Sequence, residues 1–278
     1  MTFEFDKNAK QELLEIILNR YGYDFMNYSE ASLVRRIVRF IELQKIKDFY
    51  EFKSRILNED VFFYEFLIAI TVNVTEMFRD PDFFQSLIRK VFPYLETYPY
   101  FKIWHAGCST GEEVYSLAIL LKEANLLHKA KIYATDINPT VLQKAYEGVY
   151  NIGDFKTYSQ AYLKAGGKLS LSDYYTARYG MAILDRQLRH SIVFSAHNLA
   201  GDSSFNEFQL IICRNVLIYF NRKLQNHVLQ LFEKSLAPLG FLALGSKETI
   251  QFSPLTQCFS SLDANQKIYR KTSDCTSK

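Results

Sequence analysis

Three stretches of the chain set polar residues into apolar surroundings. The first, "WHAGCSTGEE" at 104–113, lies between the apolar run "YFKI" and the periodic run "VYSLAILL". It brings Gly107, Gly111, Glu112 and Glu113 to one strand-to-helix corner. Glycine there allows unusual torsions and close approach of backbone to a ligand. A phosphate cradle needs backbone amides at a helix N-terminus and no neighbouring acid. Two carboxylates at the corner therefore point to a ligand without phosphate. The second signal is Asp136, which closes the run "KIYATD" 25 residues after Gly111. An acid at that place accepts hydrogen bonds from the two hydroxyls of a ribose, a feature shared by NAD and S-adenosylmethionine.

The glycine pattern separates these two cofactors. A dinucleotide needs G-x-G-x-x-G so that its pyrophosphate reaches the helix. Here the run is Gly107-Cys108-Ser109-Thr110-Gly111, and Glu112 and Glu113 repel a pyrophosphate. The ammonium and sulfonium of S-adenosylmethionine suit carboxylates, so that cofactor is the expectation. The third stretch, "FQLIICRNVLIYF", is a nearly continuous apolar strand that ends in Cys213-Arg214-Asn215, with Tyr219 four residues beyond Asn215. Its polar groups are expected beside the same cleft, with Tyr219 toward the methyl-transfer zone. A further polar run, "TVNVTEMFRD", holds Asn73, Thr75 and Arg79.

The elements that position these residues follow from periodicity. Residues 8–90 read as helices with apolar positions at helical spacing, among them Leu13, Leu14, Ile16 and Ile17, then Leu33, Ile37, Phe40 and Ile41. Ser29, Asp48 and Asp60 are expected as caps. Arg35, Arg36 and Arg39 share an arc of roughly 100° away from that apolar face. The expected organisation is a helical N-terminal domain over 1–85 and a connector over 86–100, marked by Pro93 and Pro99. A domain over 101–278 follows. From Phe101 strands and helices alternate, which implies an α/β fold with a mainly parallel, doubly wound, Rossmann-like sheet. In such sheets ligands sit at the carboxyl ends of the strands, near the point where strand order reverses. Residues 150–190 interrupt the rhythm and are expected as an inserted small β subdomain.

Composition excludes some classes. The 278 residues carry a formal net charge of only +3, so no global field announces nucleic acid or an acidic membrane. No apolar run approaches the ~20 residues that cross a bilayer, and the N-terminus has no signal-peptide core. Four cysteines without C-x-x-C spacing suggest a reduced, cytoplasmic setting. The five histidines are scattered without i,i+4 pairs, so no metal site is expected.

Together the motifs resemble the chemotaxis receptor methyltransferases of the CheR family. That family carries N-x-T-x-F-F-R, A-G-C-S-T-G-E-E, a D-I element and C-R-N-v-x-I-Y-F. The corresponding stretches here are "NVTEMFR", "AGCSTGEE", "ATDIN" and "CRNVLIYF". The resemblance spans nearly the whole chain in order. It implies that Asn73, Thr75 and Arg79 face the cofactor and the reaction zone. It also implies that Glu113, with Glu112 beside it, binds the methionine end, and that Asp136 holds the ribose. Asn198 and Leu199 of "SAHNL" would lie by the adenine, Arg214 and Asn215 would line the cleft, and Tyr219 would stand near the methyl group.

The implied reaction is methylation of glutamate side chains on a chemotaxis receptor's cytoplasmic domain, leaving S-adenosylhomocysteine. Arg79 and Tyr219 are its candidate catalytic residues, and Arg35, Arg36 and Arg39 its receptor-facing surface. Three departures stand out: Met77 for the first Phe of F-F-R, Val114 for a frequent Pro, and "LGSKETI" near the site. The rival readings are a nucleic-acid methyltransferase, a Rossmann oxidoreductase and a non-catalytic cofactor-binding signalling module. The first lacks a D/N-P-P-Y/F motif and the second lacks the glycine fingerprint. The third has no need of Arg79 and Tyr219.

Overall fold

The computed structural model describes residues 5–272. Four helices come first: α1 (Lys7–Tyr21), α2 (Glu30–Leu43), α3 (Phe49–Asn58) and α4 (Asp60–Ile70). They close over their own core, in which Leu14, Ile17, Ile37, Phe52, Phe63 and Phe66 are buried. Asp6 and Asp48 cap α1 and α3 by accepting from the amides of Ala9 and Glu51 at 2.7 and 2.8 Å. Ser29 makes no side-chain cap bond, and Asp60 lies within the first turn of its helix rather than before it.

The helical core ends at Ile70. Met77, Phe78, Phe83 and Phe84 already pack into the core of the following domain. The 86–100 stretch is not a free connector either. It holds the end of α5 (Pro81–Lys90) and all of α6 (Phe92–Glu96), whose Phe92 and Leu95 are buried in that second core. The aromatic run after Met77 supplies the reason: it packs into the core of the large sheet, and Pro93, read as a linker residue, opens α6 instead, whereas Pro99 lies in the bend before β1.

The remaining elements are β1 (Phe101–Ala106), α7 (Glu112–Glu123), β2 (Ala130–Asp136), α8 (Pro139–Glu147), β3 (Val149–Asn151), α9 (Phe155–Lys164), β4 (Tyr175–Arg178), β5 (Met181–Leu184), α10 (Arg186–His190), β6 (Ile192–Ala196), β7 (Phe208–Cys213), α11 (Arg222–Ser235), β8 (Leu236–Leu244), β9 (Phe259–Asp263) and β10 (Ile268–Lys271). Seven strands form one sheet in the order β6-β2-β1-β7-β8-β10-β9. The first five are parallel, and β10 and β9 add an antiparallel edge. β9 carries no clear alternating pattern and was not expected from sequence.

Side chains alternate across the sheet as the two-residue period requires. On β1, Ile103 enters the core under α7, and Trp104 enters the opposite core with Phe208 and Phe232. The strand order turns back at β1 and β7, so the cleft beyond their carboxyl ends is the ligand-binding position of this architecture. The sheet β3-β5-β4, with α9, forms the inserted subdomain. Among the described residues no helix is long and apolar enough to cross a membrane. Cys108 and Cys213 are free and buried, and Cys275 lies outside the described residues.

Candidate active site

One cleft gathers the loops after β1, β2, β6 and β7 and is closed from above by the segment after α4 and by α2. Asn73, Thr75, Arg79, Gly107, Glu113 and Asp136 line it. So do Asn198, Leu199, Arg214, Asn215 and Tyr219. The helical domain is tied to this wall by backbone: the Ser29 amide donates to the Tyr219 carbonyl at 2.7 Å, and the Asn221 amide donates to the Asn27 carbonyl at 2.9 Å.

Asp136 ends β2 with both carboxylate oxygens held. The amide of Ser109 donates to one at 2.9 Å and that of Asn138 to the other at 3.0 Å. Burial pushes its pKa up, and these amides pull it back. Ser109 reaches this position with φ of 50°, a strained torsion for a non-glycine residue. Gly107, at φ 74°, lies against the β7 loop, and a Cβ there would meet Val216 Cγ2 at 2.4 Å. The corner therefore depends on glycine at 107.

Glu113 sits deeper. Arg214 Nη1 donates to its Oε2 at 2.6 Å, and His105 Nε2 lies 3.1 Å from its Oε1. Burial raises the Glu113 pKa, but Arg214 and His105 outweigh it and hold the group at about 2. Arg214 reaches on to Asp80 Oδ2 at 2.5 Å and stacks 4.0 Å over the Phe83 ring. The floor is thus an ion-paired relay rather than a free acid.

Glu112 does not join it. Its carboxylate turns from the cleft and accepts from Thr110 Oγ1 at 2.7 Å, and burial raises its pKa to about 7. The expectation that Glu112 flanks the cofactor is corrected accordingly: adjacent residues on a helix point roughly 100° apart, so only one of the pair can face the strand ends. Asn73 spends its amide on Thr71, donating to the carbonyl and hydroxyl at 3.1 Å each. Asn198 Oδ1 accepts from the Ala200 amide at 3.0 Å. Both asparagines shape backbone at the cleft edge.

Arg36 is the main displacement from expectation. Arg35 and Arg39 are exposed, but Arg36 turns inward and lines the cleft. Its guanidinium donates to the Ile70 carbonyl at 2.6 Å and to Ser32 Oγ at 2.5 Å, and lies 4.7 Å over the Tyr219 ring. Arg79 donates to the Val74 carbonyl at 3.3 Å. Burial raises the Tyr219 pKa while Arg36 and Arg79 lower it.

Sequence reasoning missed His105 and Glu248. Glu248 is buried, and its carboxylate accepts from the amides of Gly245, Asn215, Val216 and Leu217 at 2.6–3.0 Å. It shapes the loop on which Arg214 and Tyr219 stand, including Asn215 at φ 61°. Its only signal was its place in "LGSKETI". The signal for His105 was no more than its place two residues before Gly107. Burial pushes the Cys108 and Cys213 thiols up, which disfavours the thiolate.

The cleft fits S-adenosylmethionine. Asp136 retains lone pairs for two ribose hydroxyls, and the Gly107 corner admits close backbone approach. Ser109 Oγ, His197 Nδ1 and His105 Nδ1 are buried around the cleft with no hydrogen-bond partner among the described residues.

Comparison with known proteins agrees with this geometry. Residues 9–71 match the family description "CheR methyltransferase, all-alpha domain", and residues 73–268 match "CheR methyltransferase, SAM binding domain". A Pseudomonas putida protein named "Putative methyltransferase Cher3" is 48% identical over 94% of this chain and 95% of its own length. The "Chemotaxis protein methyltransferase" of Listeria monocytogenes is 32% identical over 84% of this chain and 87% of its own. That of Salmonella typhimurium is 29% identical over 95% and 90%. With both of its domains matched and its strand-end cleft built for the cofactor, the chain belongs to the CheR family and is an S-adenosylmethionine-dependent methyltransferase.

Proposed function

We propose that the enzyme methylates glutamate side chains of a chemotaxis receptor's cytoplasmic domain, forming methyl esters. The observation that carries this reading is the cationic mouth of the cleft. Arg36 and Arg79 flank Tyr219, and their guanidiniums bond only neutral oxygens among the described residues. Such a pair suits an incoming carboxylate, which guanidinium binds through charge-assisted bonds. The names of the Listeria and Salmonella relatives support a chemotaxis setting.

When bound, the cofactor supplies an electrophilic methyl group on its sulfonium. The chain's own residues have three tasks. Asp136 accepts from the ribose hydroxyls and fixes the cofactor's position. Arg36 and Arg79 hold the acceptor carboxylate for in-line approach. The Tyr219 hydroxyl hydrogen-bonds near the transferring group. A glutamate of reference pKa ~4.3 is already ionised at neutral pH, so no group must remove a proton. Exposed Arg35 and Arg39, on the outer face of α2, form the docking surface for the receptor.

Incubation with methyl-labelled S-adenosylmethionine and host membranes tests this. The expected result is label on a receptor-sized membrane protein, released as methanol by mild alkali. Alkali-stable label, or label on nucleic acid, assigns a different acceptor. No transfer, with the cofactor still bound, assigns a signalling module.

A further inference from the structure

Tyr28 comes from the turn between α1 and α2, yet it lines the cleft beside residues of the other domain. Two backbone bonds bracket it: the Ser29 amide donates to the Tyr219 carbonyl at 2.7 Å, and the Asn221 amide donates to the Asn27 carbonyl at 2.9 Å. Between them Tyr28 and Phe220 pair as a short antiparallel bridge. The Tyr28 ring packs edge-on with Phe25 at 4.8 Å and with Phe220 at 5.0 Å, so it rests on the cores of both domains at once. Its hydroxyl is neither sealed from the cleft nor engaged in a hydrogen bond among the described residues. Burial first, and the charge of Asp136 second, push the phenol's pKa up, so the group stays protonated and can donate. The ribose offers the matching acceptor. A ribose hydroxyl that donates to Asp136 keeps its own lone pairs, and a carboxylate, which only accepts, cannot satisfy them.

We propose that the Tyr28 hydroxyl donates a hydrogen bond to one of the two ribose hydroxyls of the bound cofactor, so that the helical domain supplies part of the ribose site. The sugar is then held by both domains, Asp136 accepting from it and Tyr28 donating to it. The inference rests on the placement of the ribose at Asp136 and holds whatever the acceptor is.

Calorimetry on the intact protein and on Tyr28→Phe tests this. The substitution keeps the ring that packs on Phe25 and Phe220 and removes only a hydroxyl that no described residue engages. The probes are S-adenosylhomocysteine, methylthioadenosine, which lacks the methionyl ammonium and carboxylate, and the 2′-deoxy and 3′-deoxy forms of S-adenosylhomocysteine. Tyr28→Phe should bind the first two about fivefold more weakly, the size of one neutral hydrogen bond, because both carry the intact ribose. With one of the deoxy probes the substitution should cost nothing further, because the hydroxyl that accepts from Tyr28 is gone. Unchanged affinity for the two ribose probes overturns the proposal. So does a loss that persists with both deoxy probes, or one confined to S-adenosylhomocysteine, since the hydroxyl then acts away from the ribose or only on structure. Deoxy probes that bind the wild type as tightly as S-adenosylhomocysteine overturn both this contact and the placement of the ribose at Asp136. Deoxy probes weakened equally in wild type and variant overturn the Tyr28 contact alone.

Discussion

At the floor of the cleft Glu113 lies between His105 and Arg214, and Arg214 reaches on to Asp80, so each buried ion has its counter-ion within the protein. At the mouth, the hydrogen bonds of Arg36 and Arg79 among the described residues go to carbonyl and hydroxyl oxygens. The contrast teaches how one cleft serves two tasks. On the proposed reading, charge satisfied internally would give a rigid seat for the cofactor, whereas charge left without an anion would select the acceptor.

The largest effect is expected where that internal pairing is broken. Arg214→Ala leaves Glu113 buried without its strongest partner, which costs about 3–5 kcal/mol. Urea unfolding should show the loss, and an unchanged midpoint would mean the floor is not held by charge.

The two adjacent glutamates sharpen the point through pH. Glu113 has its pKa lowered from 4.5 to about 2, so its contribution is present above pH 4.5 and is lost as pH falls toward 2. Glu112 has its pKa raised from 4.5 to about 7, so its ionised form opposes folding above pH 7. Acidification from pH 7 to 4.5 should therefore stabilise the protein, by on the order of 3 kcal/mol from this group. Glu112→Gln should abolish that limb in urea titrations and raise stability at alkaline pH. An unaltered limb would place its origin elsewhere.

At the mouth the expected signature is catalytic rather than structural. Arg79→Ala should lower kcat by ~10²-fold, or ~2.7 kcal/mol, with little change in stability. Tyr219→Phe should lower it less. A large stability loss in Arg79→Ala with kcat intact would erase the distinction between the two ends. The smallest effect belongs to the outer face of α2. Reversing the charges of Arg35 and Arg39 should weaken receptor methylation at low salt and spare cofactor binding, since exposed pairs contribute about 0.2–1 kcal/mol each and are screened. Equal rates for variant and wild type at low salt would leave these arginines as ordinary solvated residues.

Much of the cleft was legible because strand ends and the corners after them carry their polar residues in short motifs, as at Gly107, Asp136 and Arg214. What escaped depends on packing between elements. A helical wheel places Arg36 on one arc with Arg35 and Arg39, but it also lies only roughly 40° from Phe40, at the border of the buried face. Docking of the helical domain onto the β7 loop decides which way such a border residue turns. Glu112 escaped because the wheel gives angles about α7 without saying which side meets the strand ends. The prolines at 93 and 99 read as linker because nothing local announces that Phe92 and Leu95 will meet the sheet. His105 and Glu248 escaped because a lone histidine or glutamate has no pattern until its neighbours are known.

The claim that the mouth receives an already ionised carboxylate is tested most directly by the pH dependence of kcat. With cofactor and acceptor both saturating, cofactor affinity does not enter. The account predicts no rising limb between about pH 6 and about pH 9, because the nucleophile ionises well below that range. A limb near neutrality that disappears when one of the histidines is replaced would require a general base, and with it an amine, hydroxyl or nucleobase acceptor.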